Sequence, residues 1–423
     1  MLNRTLAPDF RKVSIINFIK PEKNNLDNGV PVFTIYSGEQ DLVRIEFIFN
    51  NVNWNPEKPL QAIAVSSMLN NGTDELSSKE IAEQIDFYGA FFQTEYGQDQ
   101  STVTLYTLNK HLSSVLPIVK DVLSNSQFPQ KELDIYIQNQ KQKLQVNLQK
   151  NDILSRKEFS HALFGDTAYG VDIQLKHYDE VKRDDLVDYF KAAYTPDNCT
   201  IIVSGKFSEA SFGLLNEQFG KDWMASNSKK NSFSFPPSIQ KEVYREKAES
   251  LQSAIRIGQL AITRKHEDFP GVQILNTVLG GYFGSRLMNN IREDKGYTYG
   301  ISSGIVSLQN AGYFFISTEV GADVCADALK EIYKEVGLLK TKLVGAEELD
   351  LVRNYMLGSM LGSLENVFSH ADKFKNIYFS GLDYAYYEKY ISTVKTITAE
   401  EILALANKYL TTESFIEVVV GKK

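Results

Sequence analysis

Side chains able to do chemistry are sparse in this chain, and their spacing limits what they can do. Its five histidines, His111, His161, His177, His266 and His370, never come within ten residues of one another. A helical zinc site needs two imidazoles about one turn apart on one face, so none can be assembled from this set. Cys199 and Cys325 are too few for a disulfide scaffold or a cysteine-based zinc cluster. Gly300-Ile301-Ser302-Ser303-Gly304 fits the G-x-S-x-G pattern of serine hydrolases. That pattern works on a sharp strand-to-helix turn, whereas here IVSLQNAGYFF follows, which is extended and offers no helix. Ser66 and Ser67 lie in a helical segment with no histidine near them in sequence. Gly280 to Gly284 lacks the Lys-Ser/Thr of a phosphate loop and reads as close packing at a helix end.

The elements that must carry any site form an internal repeat. VRIEFIFNNV alternates Val43, Ile45, Phe47 and Phe49 with Arg44 and Glu46, the period of a strand with one face in the core. An acidic Pro-containing loop and an apolar helix ending near MLNNGT follow. SAIRIGQLAI, HEDFP and GVQILNTVLGG repeat that order in the second half. Each half continues with a short helix, a glycine turn (Gly89, Gly296), two long strands and further helices, and closes with an amphipathic helix and a strand ending at Gly205 or Gly421. The offset is 207 residues at the glycine turns and 216 at the closing glycines. Thr398-Ala399-Glu400-Glu401 is a capping box that starts the last helix. Its apolar face is Ile402, Leu405, Ala406 and Tyr409, ahead of a buried strand over 415–420. DWMASNSKKNSFSFPPSIQKE, rich in Ser, Asn and Lys with a Pro pair, reads as a linker.

The expected architecture is therefore α+β, with two homologous domains, each a mostly antiparallel sheet with one face packed against a layer of helices. We place the domains at 1–222 and 244–423, with the linker at 223–243. A chain of 423 residues with 45 basic and 53 acidic side chains, net −8, has ample core and no basic patch for nucleic acid. No apolar run approaches the roughly 20 residues of a membrane span. The N-terminal segment shows no apolar stretch of signal-peptide length. Sparse cysteine and that start point to the cytoplasm.

This layout, with LGGYFGSRLMNNIREDKGYTYG over 279–300, resembles the insulinase/pitrilysin family of inverted zinc metallopeptidases over almost the whole chain. It is most similar to the two-subunit branch that includes mitochondrial processing peptidase. The resemblance implies two such chains facing each other around a closed chamber. An active member carries His-x-x-Glu-His on the first domain's helix, just before Met and a Gly-Thr turn, with a further Glu roughly 75 residues on. The two His bind zinc and the Glu activates water. Here Met68 and Gly72-Thr73 remain, while Ile63 stands at the first His, Ser66 at the Glu and Ser67 at the second His. The distal position falls in Gln142-Lys143-Leu144, with no carboxylate.

The family's second-domain pair, an Arg and a Tyr seven residues apart, matches Arg292 and Tyr299. In the family these hold the substrate backbone or the tetrahedral intermediate. A guanidinium donating to a peptide carbonyl and a phenol donating to an oxyanion suit that task. Arg286 reads equally as a contact to a peptide or as a solvated helix arginine, and Tyr297 as packing. The resemblance thus implies a noncatalytic subunit with no cofactor of its own. Zinc would sit in a homologous partner subunit, the substrates would be peptides, and neither nucleic acid nor membrane would be a partner. A homodimer of the isolated chain also fits. No zinc-dependent catalysis is expected from this chain alone; paired with a His-x-x-Glu-His subunit it would form part of a metalloendopeptidase. The alternative is a catalytically inert structural or peptide-binding homologue, and the FFQTEYGQDQSTVTLYTL strand could offer such a peptide its edge.

Overall fold

The computed structural model describes residue 13 and residues 15–423, apart from residues 39 and 227. The first twelve residues, part of the segment read above for a leader, lie outside the described residues. The first half runs β1 (Glu22–Asn25), β2 (Pro31–Tyr36), β3 (Leu42–Asn50), α1 (Gln61–Met68), α2 (Ser78–Phe87), β4 (Phe91–Tyr96) and β5 (Gln100–Leu108). It continues with α3 (Leu112–Asn125), α4 (Gln130–Asn147), α5 (Asn151–Phe164), α6 (Leu175–Asp179), α7 (Arg183–Ala193), β6 (Cys199–Gly205) and α8 (Glu209–Phe219). The second half runs β7 (Glu242–Glu246), β8 (Gln252–Ala261), α9 (Phe269–Gly280), a π-helical turn (Met288–Asp294), β9 (Thr298–Ser307) and β10 (Gly312–Gly321). After these come α10 (Cys325–Thr341), α11 (Ala346–Gly362), α12 (Val367–Tyr378), α13 (Ala385–Thr396), α14 (Ala399–Tyr409) and β11 (Ile416–Gly421).

The two sheets share one topology. The first is ordered β1-β2-β6-β3-β5-β4 and the second β7-β11-β8-β10-β9. Each has a single parallel pair, β2 with β6 and β7 with β11, and is otherwise antiparallel. The glycines that mark the repeat also match in conformation. Gly89 and Gly296 turn at φ 59° and 66°, and Gly205 and Gly421 close their strands at 114° and 134°, values that side chains other than glycine rarely adopt. The first half carries two additions with no counterpart, the strand β1 and the helix α8.

Period-2 patterning sets the inner faces. Val43, Ile45, Phe47 and Phe49 enter a core closed by Met68, Leu116 and Val119, and Ile255 and Ile257 enter one closed by Ile274, Val278 and Ile332. Each fully buried side chain of this size contributes roughly 1.5–3 kcal/mol. Capping boxes Ser77/Glu80 and Thr398/Glu401 start α2 and α14.

The sheets differ from the expectation of one covered face each. Residues of β3 are buried on both sides, Arg44 and Glu46 included. The halves exchange helices: α12 packs across the outer face of the first sheet, on β2 and β6, and α5 across that of the second, on β8 and β11. Ala371 and Phe374 meet Phe33, Ile35, Ile48 and Ile202 in one seam. Leu154, Phe159 and Leu163 meet Ile416, Val418 and Val420 in the other. Sheet tips join as well. The Gln309 amide donates to Asp99 at 2.9 Å, and Tyr169 donates to the same carboxylate while accepting from Asn310. Irregular chain over 222–226 and 228–241 is strapped down by Trp223 donating to the Tyr194 carbonyl at 3.1 Å and by Phe233 and Phe235 packed on Phe164 and Tyr169. Among the described residues no helix is long and apolar enough to cross a membrane.

Candidate functional site

Helix α1 shows what occupies the place where the family's zinc helix would be. Its residues Ile63, Ser66 and Ser67 divide between core and surface: Ile63 half-buried, Ser66 buried, Ser67 exposed. Ser66 lies beside the phenol of Tyr194, whose pKa burial pushes up to about 12. Ser67 lies beside Tyr136 of α4, whose phenol burial likewise pushes up to about 12. Both phenols therefore stay protonated near neutrality and offer no anionic oxygen. Further along α4, Gln142 and Lys143 are exposed and Leu144 half-buried. Alkyl, hydroxyl, amide and ammonium groups do not fit Zn²⁺, which takes imidazole, thiolate or carboxylate. Among the described residues no group of three or more His, Cys, Asp or Glu could hold a metal ion. No zinc step is assigned to this chain.

The second-half pair is brought together by an irregular helix. In the turn over Met288–Asp294, Met288 and Ile291 are buried beneath while Arg292 turns outward. The Gly296 amide donates to the Arg292 carbonyl at 3.1 Å and the Tyr297 amide to the Ile291 carbonyl at 3.0 Å, so the chain folds directly back into β9. Tyr299, one residue into that strand, is 92% exposed. The Arg292 guanidinium carbon sits 5.3 Å from the Tyr299 ring centre and 4.6 Å from that of Phe283. Two aromatic rings thus hold the guanidinium, leaving its N–H groups to point elsewhere. Among the described residues its one ion-pair neighbour is Glu293, at 3.5 Å. The pair lies at the start of β9, the edge strand of its sheet, and opens onto solvent in the single chain.

Neighbouring residues separate from this pair. Arg286 is largely buried and grips Glu348 with two bonds, 2.7 and 2.8 Å, which holds α11 against the π-helical turn. It is an ion-paired arginine and not a solvated one. Tyr297 packs on the core and does not share a face with the exposed Tyr299. A Cβ at Gly280 would lie 2.6 Å from the Ser303 hydroxyl, so glycine is there for close approach. Ser302 and Ser303 are mid-strand in β9, with no elbow. The strand β4 is the edge of the first sheet and alternates exposed and half-buried residues. Phe283 was hidden in a glycine-rich stretch that reads as a helix end, and its signal is an aromatic left 64% exposed between glycines.

Residues 180–356 match the family described as Peptidase M16 inactive domain. The chain is 25% identical over 358 residues to a Bacillus subtilis protein described as an uncharacterized zinc protease, YmxG, covering 83% of this chain and 86% of that one. It is 23% identical over 359 residues to a Helicobacter pylori protein described as a non-peptidase homolog, YmxG, covering 80% and 78%. Among solved structures, a peptidase M16 inactive domain from Pseudomonas fluorescens superposes with a TM-score of 0.83 at 22% identity, covering 95% of this chain and 98% of that one. At that identity the structural likeness speaks to fold alone.

Proposed function

We propose that this chain, which matches the Peptidase M16 inactive domain over residues 180–356 and lacks the zinc ligands of the insulinase/pitrilysin family it resembles, acts as the noncatalytic subunit of a two-chain peptidase. A homologous partner bearing His-x-x-Glu-His supplies the metal, and the two chains enclose a chamber in which peptides are degraded. The observation that carries this reading is Arg292 held between Phe283 and Tyr299, with Glu293 at 3.5 Å its one ion-pair neighbour among the described residues, just ahead of an edge strand. An extended peptide added along β9 would bring its carbonyls to that guanidinium and to the Tyr299 hydroxyl. Once a partner covers the exposed pair, water leaves and both donors strengthen. We take 1–222 and 244–423 as the two peptidase-like domains, joined by 223–243, and the cytoplasm as the compartment, in keeping with the two buried free thiols.

The test is reconstitution. This chain and a His-x-x-Glu-His homologue encoded by the same genome are purified separately, mixed, and assayed on an unfolded peptide. The mixture should hydrolyse it and this chain alone should not. Arg292→Ala should lower kcat/KM of the mixture about 100-fold, the size of losing one transition-state donor. Co-elution and unfolding midpoint should stay as in the wild type. Full activity of the Arg292→Ala mixture would remove the clamp role. Peptide binding without hydrolysis, with the partner present, would favour the inert peptide-binding alternative.

A further inference from the structure

A second site of a different kind lies between α9, α11, α12 and α13. It is a cavity of about 300 Å³, floored by Ile305, Met356 and Met360 and walled by Tyr355, Tyr386 and Tyr390. Two basic side chains, Arg264 from the loop after β8 and Lys373 from α12, line it, and none of its lining residues is Asp or Glu. Arg264 is anchored at one end: Nη1 donates to the Asn376 carbonyl at 2.8 Å and its guanidinium lies over the Tyr386 ring at 5.9 Å. Among the described residues Arg264 forms no ion pair and the Lys373 ammonium no hydrogen bond. Burial, and then the charge of Arg264, push the Lys373 ammonium below the ordinary lysine value. The adjacent Asp372, whose carboxylate is bound by Arg44 at 2.9 Å, acts in the opposite direction.

In a chain of net charge −8, two cations turned into one partly enclosed space without a carboxylate repel each other and are poorly solvated. A doubly charged anion between them reverses both effects. Lysine supplies a point charge and arginine a donor fork, and the Ser359 hydroxyl, free of hydrogen bonds among the described residues, adds a further donor for an oxyanion. We propose that this cavity binds the phosphate group of a small molecule, with Arg264 and Lys373 as its charge partners and the tyrosines around its remaining body. Its lining shares no residue with the Arg292, Phe283 and Tyr299 clamp, and the proposal does not depend on a peptidase partner.

The experiment titrates the full-length chain with inorganic phosphate by calorimetry at constant ionic strength, with malonate as the dicarboxylate arm. Saturable one-site binding of phosphate, tighter than malonate, is expected. Lys373→Met should weaken it on the order of tenfold, as removal of a charge-assisted bond does, and Lys373→Arg should restore it. If the Met variant does not fold, Lys373→Gln takes its place. Absence of saturable phosphate binding, preference for malonate, or a Lys373→Met affinity equal to wild type would each overturn the proposal.

Discussion

At the position where β3 buries Glu46, β8 places a half-buried Arg256. The two are equivalent in the repeat: Glu46 faces Thr104 and Ile202 across its sheet, and Arg256 faces Ser317 and Val418. Each lies on the outer face, under the helix supplied by the other half. In the first seam the charge is answered by charge. Glu46 pairs with Lys375 of α12 at 2.6 Å and with Arg44 at 3.1 Å, and Arg44 reaches Asp372 at 2.9 Å. In the second seam it is answered by rings. The Arg256 guanidinium lies 5.0 Å from Phe315 and 5.9 Å from Phe159 of α5, with the Ser317 hydroxyl at 3.2 Å and no carboxylate partner among the described residues. Burial lowers its pKa, while that of Arg44 is raised by Glu46 and Asp372 against the opposing effect of burial. One topology thus tolerates two solutions to a charge placed between sheet and helix, and the choice decides how each seam fails.

The aromatic seam should give the largest single loss. Phe159 is 1% exposed and fills the space between α5 and β8. Phe159→Ala should cost about 3–5 kcal/mol in denaturant unfolding, because transfer and cavity terms add. Glu46→Ala should cost about 3 kcal/mol, at the lower end for breaking a buried pair. Lys375 can turn to solvent and Arg44 keeps Asp372, which limits the damage. A double-mutant cycle with Lys375→Ala should return a coupling of about 1–2 kcal/mol. A cycle pairing Glu46→Ala with Phe159→Ala should return none if the seams act independently. Equal costs for Glu46→Ala and an exposed control would break the comparison.

The repeat was legible because each half spells the same strand, glycine turn and closing strand, and these depend on local periodicity and backbone conformation. The seams were not. Alternation shows that Arg44 and Glu46 share a face of β3, but not that α12, more than 300 residues on, covers it. The same holds for Arg264 and Lys373, which meet only after α12 is placed. Arg292 and Tyr299 came from the family resemblance, since an Arg and a Tyr seven apart carry no signal alone. What sequence missed there is the π-helical turn that turns Arg292 outward, where an ordinary short helix was expected, and Phe283 as its second ring.

A smaller effect separates the seams by pH. His370, buried on α12, accepts the Ile19 amide at Nδ1, 3.2 Å away, and burial lowers its pKa from the ordinary 6.5. The unfolded chain therefore takes up the proton first as pH falls. Stability is fully present above pH 6.5 and declines below it until the folded-state value is passed, with a slope no steeper than about 1.4 kcal/mol per pH unit. Unfolding free energies measured between pH 7 and 5 should show this decline in wild type and a flatter profile in His370→Gln. Equal slopes would remove His370 from the charged seam's response.

The smallest expected change is the most discriminating. Arg256→Met removes a half-buried cation that has rings and one hydroxyl for company, and its buried Nε lacks any hydrogen-bond partner among the described residues. The stacking on Phe315 and Phe159 is worth about 1–2 kcal/mol when desolvated. Desolvating the guanidinium works against that, and Met keeps most of the side chain's volume and apolar contact with the same rings. The two terms are of similar size, so the unfolding free energy should move by less than about 1 kcal/mol, in either direction. The matching replacement in the other seam, Glu46→Met, would likewise take the carboxylate from Lys375 and Arg44, so it should cost as much as Glu46→Ala. If Arg256→Met instead destabilises as strongly as Glu46→Met, then rings answer a buried charge as fully as a carboxylate does, and the difference between the seams is one of composition without energetic consequence.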